Sequence, residues 1–107
     1  MASDPERLAA LTHDDLALRL GERFRLTRTA PETGALVLEL LRVDASPTRD
    51  RVPRARSPFS AIFLGPADPV LPQQFYRLEN AALGALDIFL VPIARDERGV
   101  RYEAVFA

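Results

Sequence analysis

Cysteine and lysine are both absent from this 107-residue chain, and histidine and methionine occur once each. Without cysteine there is no disulfide, no thiol nucleophile and no cysteine-ligated metal, and the redox compartment is left open. One histidine cannot complete a multi-histidine metal site. No nucleophile–base pair stands out among the remaining residues, so neither a serine triad nor a metal hydrolase assembles from this chain. An excess of charge of one sign is lacking too. The formal net charge is −1 at pH 7, so the molecule as a whole has no pull on nucleic acid or anionic membrane. No apolar run approaches the ~18 residues of a membrane-spanning helix. The opening "MASDPERLAALTHDD" is charged and carries no apolar h-region, so no secretory signal is expected and the expected compartment is cytoplasmic.

What is present is globular in character: 48% hydrophobic and 27% charged. The length suits a single domain over residues 1–107 with one modest core. All 14 basic residues are arginine. A GC-rich genome accounts for that most simply, although a planar, weakly hydrated guanidinium also engages partners more readily than an ammonium group does.

A helical segment is expected over residues 4–20. Ser3 with Glu6 and Thr12 with Asp15 each have capping-box spacing. Gly21 reads as the stop, and Leu16 and Leu20, four apart, are expected to face the core behind Leu8 and Leu11. From residue 22 to 106 the period becomes two. "ERFRLTR", "PFSAIFLG", "FYRLE", "GALDIFLVPIA" and "VRYEAVF" read as strands, and "ALVLELLRV" as a central strand with both faces covered. Pro92 cannot donate to a ladder, so it belongs at an edge or a bulge. "RDERG" reads as a hairpin turn with Gly99 free to take positive φ. Together these predict a mainly β (α+β) fold. About six largely antiparallel strands form a small sandwich or barrel, with a short helical segment at the N-terminus.

Four features could carry function. "THDD" sets His13 beside Asp14 and Asp15, but neighbouring residues diverge on a helix, and acids at a helix N-terminus explain the stretch. The loop 44–57 carries Arg49, Arg51, Arg54 and Arg56 against Asp50. It is either a solvated loop or a docking element for an acidic protein surface or a phosphate. Nucleic acid is not expected, because no aromatic residue interleaves these arginines. Pro66, Pro69 and Pro72 share one face of a polyproline II helix, or simply stiffen a connector. Gln73, Gln74, Tyr76 and Asn80 either line a polar pocket or belong to a turn closed by Asn80 and Gly84. Asp87 and Glu103 either face each other across strands or pair outward with arginines.

The motif order is specific. "LTHDDLALRLGERFRL", "SPFSAIFLGPADPVLPQQFYRLENAALGALDIFLVPI" and "YEAVF" together resemble a family of short bacterial proteins of unknown function. The likeness spans residues 11 to 106. Gln74 stands where that family tends to have glycine, and Asn80 where it tends to have histidine. Its members resemble companions of phage-tail-collar-like ("microcystin-dependent") proteins. The resemblance implies a non-enzymatic structural or accessory protein of a phage-tail-like or surface-fibre assembly. Its partner would be a protein such as the tail-collar-like one, or further copies of itself. No cofactor and no membrane contact are implied. The alternative is a small ligand-binding β-barrel.

Overall fold

Thr12 opens the first element. Its Oγ1 accepts from the Asp15 backbone N–H at 3.2 Å while the Asp15 carboxylate accepts from the Thr12 N–H at 2.9 Å, a complete capping box. The helix it starts, α1, spans His13–Ala17 and buries Leu16. In this computed structural model the described residues are 11–27, 35–45 and 58–106. The Ser3–Glu6 capping box and Leu8 lie outside them. Leu11 is buried as expected, but Leu20 is 52% exposed. The helix ends at Ala17, so residues 18–20 form a turn and the four-residue spacing from Leu16 no longer brings Leu20 to the core. Gly21 does take positive φ, at 81°, though three residues beyond the helix cap at Leu18. Its N–H donates to the Leu40 carbonyl at 2.8 Å, tying the helical segment to the sheet.

Six strands follow: β1 (Arg23–Thr27), β2 (Ala35–Ala45), β3 (Phe59–Gly65), β4 (Gln74–Asn80), β5 (Gly84–Asp96) and β6 (Gly99–Phe106). All pairings are antiparallel, and the strands close into a barrel in the order β1-β2-β3-β6-β5-β4. The chain is therefore two three-stranded meanders, β1–β3 and β4–β6, joined along two seams. The long middle strands turn the corners. β2 pairs with β1 through Ala35–Glu39 and with β3 through Glu39–Ala45. β5 pairs with β4 through Gly84–Leu90 and with β6 through Val91–Asp96. Each carries a register shift near the crossing, between Leu40 and Arg42 in β2 and between Pro92 and Ala94 in β5. An extra residue bends a strand and lets it pass from one sheet to the next. Pro92 sits at one of these bulges, where a missing N–H costs no ladder bond.

Closure gives each strand one inner and one outer face. Phe24, Leu26, Leu38, Leu40, Phe59, Phe63, Tyr76, Leu78, Leu90 and Tyr102 are nearly inaccessible and fill the inside. Phe24 meets Phe63 edge-on at 5.2 Å, and Phe59 stacks on Phe106 at 4.6 Å. The expectation that β2 is covered on both faces is overturned. Val37 is 51% exposed and Glu39 is exposed, because a barrel buries only its lumen side. The strand also runs on through Asp44 and Ala45, so those residues are not part of the arginine loop.

Candidate functional site

Tyr76 and Tyr102 point inward and use their hydroxyls on the connector between β3 and β4. Tyr102 Oη accepts from the Leu71 N–H at 3.0 Å, and Tyr76 Oη donates to the Pro72 carbonyl at 2.5 Å. Leu71 is itself buried in the core, so the proline-rich connector is folded onto the barrel. Two ring hydroxyls and one leucine fix it there.

The four residues of the expected polar pocket do not converge. Gln73 is exposed, Tyr76 is buried among core side chains, and Gln74 and Asn80 stand at opposite ends of β4. At ~3.4 Å per residue those ends are about 20 Å apart. Asn80 acts as the turn residue instead. Its Oδ1 accepts from the N–H groups of Ala82 (2.9 Å) and Leu83 (3.2 Å). Its Nδ2 donates to Glu22 Oε1 (3.2 Å) and to the Arg23 carbonyl (3.3 Å). Both ends of the amide are thus used. Glu22 in turn pairs with Arg19 at 3.3 Å through its other oxygen. The result is a small polar latch joining the turn after α1, the start of β1 and the β4–β5 turn.

Arg49, Arg51, Arg54 and Arg56 lie outside the described residues. The His13 Nδ1 lies 3.2 Å from Asp14 Oδ1, and its ring meets the Phe59 ring edge-on at 6.3 Å. Among the described residues no three His, Cys, Asp or Glu side chains gather as a metal site. Asp87 and Glu103 are not opposed. Asp87 faces Arg77 across β4–β5, with Nε to Oδ1 at 3.5 Å, whereas Glu103 stands opposite Val91 and Ile62. Asp96 accepts from Arg101 at 2.6 Å and from the Arg98 N–H at 2.9 Å, and the Arg101 bond leads in holding its carboxyl below the usual range.

The wall of the barrel is less conventional than its interior. Phe75 and Phe89 are direct cross-strand partners on the outside, with ring centroids 5.1 Å apart at 67°. They are 66% and 40% exposed, and Val105 on β6 is 67% exposed. Two depressions of about 350 Å³ also lie on the outside. One is bordered by Arg25, Glu79 and Asn80, the other by Arg23, Val37 and Arg98. The outward aromatic pair was not singled out from sequence, yet a signal existed. In "QFYRLE" two aromatics are adjacent, and in a strand adjacent side chains take opposite faces, so burying Tyr76 forces Phe75 out.

A family model described as a domain of unknown function, DUF6916, matches residues 11–106. The chain belongs to that family. No curated protein and no solved structure matches it. The DUF6916 match covers the capped helix, all six strands and both bulges, so the family motif is the complete barrel with its helix. No helix among the described residues is long and apolar enough to cross a membrane.

Proposed function

We propose that this DUF6916 domain is a non-enzymatic structural or accessory component of a phage-tail-like or surface-fibre assembly, working through protein–protein contacts. One observation carries the reading. The lumen is filled with the domain's own side chains, while the outer wall displays large hydrophobics, Phe75, Phe89, Val37 and Val105 among them. Exposed aromatic residues side by side on a wall, as Phe75 and Phe89 are, mark a contact surface. A solid barrel offers its outside rather than a chamber, so a ligand-binding barrel has less support. The likeness in motif order to companions of tail-collar-like proteins supplies the assembly.

The test is binding of the purified domain to a tail-collar-like protein from the same host, followed by light scattering and calorimetry. Complex formation is expected. A strict monomer with no affinity for that neighbour would overturn the reading.

A further inference from the structure

We propose that the Phe75–Phe89 face is a self-association surface and that its occupant is a second copy of this chain. The inference rests on the preceding reading only in treating the wall as a contact surface. Two rows on the outside of β4 and β5 carry it. In one, Phe75 is opposite Phe89; in the next, two residues along, Arg77 is opposite Asp87. A two-fold axis in the contact plane, parallel to the strands and midway between them, exchanges the two strands. It sets Phe75 on the second copy's Phe89 and Arg77 on the second copy's Asp87. Isologous contacts require such self-complementarity, because each patch meets itself. Here the rings meet rings and each charge meets its opposite, turning one ion pair into a closed ring of four groups. A basic partner would meet Arg77, an acidic one Asp87; only a patch with the same alternation satisfies both.

The area sets the strength. Phe75 and Phe89, at 66% and 40% exposure, offer roughly 200 Å² of ring surface per copy. A stable interface buries roughly 800 Å² per partner. The aromatic pair is therefore the centre of a contact completed by flanking wall residues such as Val105, and the dimer is a weak one.

Sedimentation velocity of the full chain over roughly 10 to 500 µM should show a monomer–dimer equilibrium. The Phe75→Ser/Phe89→Ser double variant should weaken it at least tenfold, with the circular dichroism of the folded chain unchanged and melting lowered only modestly by loss of the cross-strand pair. Charge reversal is the sharper test. Asp87→Arg alone and Arg77→Asp alone should each self-associate less than wild type. Mixed one to one, the two should form a heterodimer, since Arg77 of the first then meets Asp87 of the second and the created charges also pair. An intramolecular role for the Arg77–Asp87 bridge would not produce that rescue. A wild-type chain monomeric throughout the range, or single variants that fail to combine while remaining folded, would overturn the proposal. If the chain is monomeric yet binds the tail-collar-like protein, this inference falls and the assembly reading stands. A dimer that binds no such protein gives the reverse.

Discussion

Asn80 and Glu22, 58 positions apart in the chain, are joined by a 3.2 Å hydrogen bond from Nδ2 to Oε1. That bond places the β4–β5 turn against the entry to β1, and Asn80 makes three further bonds from the same amide.

Removing the amide should therefore be costly. Asn80→Ala gives up four bonds and leaves two turn N–H groups without their acceptor. The expected loss is about 2 kcal/mol, or roughly 10 °C in Tm. Asn80→Asp keeps the acceptor but sets a carboxylate against Glu22. It gives up both Nδ2 bonds and should also cost stability at pH 7. Thermal melts of the two variants at pH 7 check both.

Gly99 lies close against the Gly65 backbone. A Cβ on Gly99 would lie 2.1 Å from the Gly65 carbonyl oxygen, and Gly99 has φ of +141°. Gly99→Ala should cost about 3 kcal/mol or more, since backbone must move and the conformation is strained. A Cβ on Gly65 meets the Leu38 side-chain tip at 2.6 Å and the Tyr102 ring at 3.3 Å. Because Leu38 can yield part of that space, Gly65→Ala should cost less, about 1–2 kcal/mol. Denaturant titrations of the two variants should rank them in that order.

Tyr102→Phe should destabilise by about 1–2 kcal/mol, because it strands the Leu71 N–H in the core. Tyr76→Phe removes a donor from the Pro72 carbonyl, which belongs to an exposed residue and can turn to water. The smaller effect is expected there, below about 1 kcal/mol. Comparing the two by chemical denaturation separates the hydroxyls from the rings.

Much of the barrel is legible in the residue order. The alternation of Phe59, Ala61 and Phe63, and of Tyr102, Ala104 and Phe106, places β3 and β6 without ambiguity, and Thr12 with Asp15 announces the helix. The misreading of β2 has a specific cause. At its bulge the inward sequence runs Leu40 then Val43, three apart instead of two, so Val43 looks like a member of the opposite face while it packs on the same core. Closure is hidden for a related reason: a local pattern shows which face is apolar, not which distant strand completes the ring. The Phe75–Phe89 contact depends on the register fixed by the Asn80–Gly84 turn, and that register is not written in either strand.

Asp96 gives the molecule a small acid-sensitive component. Its carboxyl is held below the ordinary range by Arg101 and by the Arg98 N–H, so the folded state favours the ionised form. The sign follows. This contribution is fully present above the unfolded-state pKa near ~4, and it is lost as pH falls through the lower folded-state value. Asp96→Asn should reduce stability at pH 7 and leave it unchanged near pH 2. Melting curves across that window, with a carboxyl-detected titration of Asp96, would show it; equal effects at both ends would contradict the assignment.

The two seams have a consequence for cooperativity. Hairpins within each meander link near neighbours, but β1–β4 joins residues 50 to 54 positions apart and β3–β6 joins residues 35 to 47 apart, and both are slow to form. Opening either seam turns a ring without edges into a sheet with two. Neither meander gains a stable resting state of its own that way, so local opening is penalised as heavily as global unfolding. Amide exchange at Leu26, Leu78, Ala61 and Ala104 should then report one common opening free energy, that of the whole barrel.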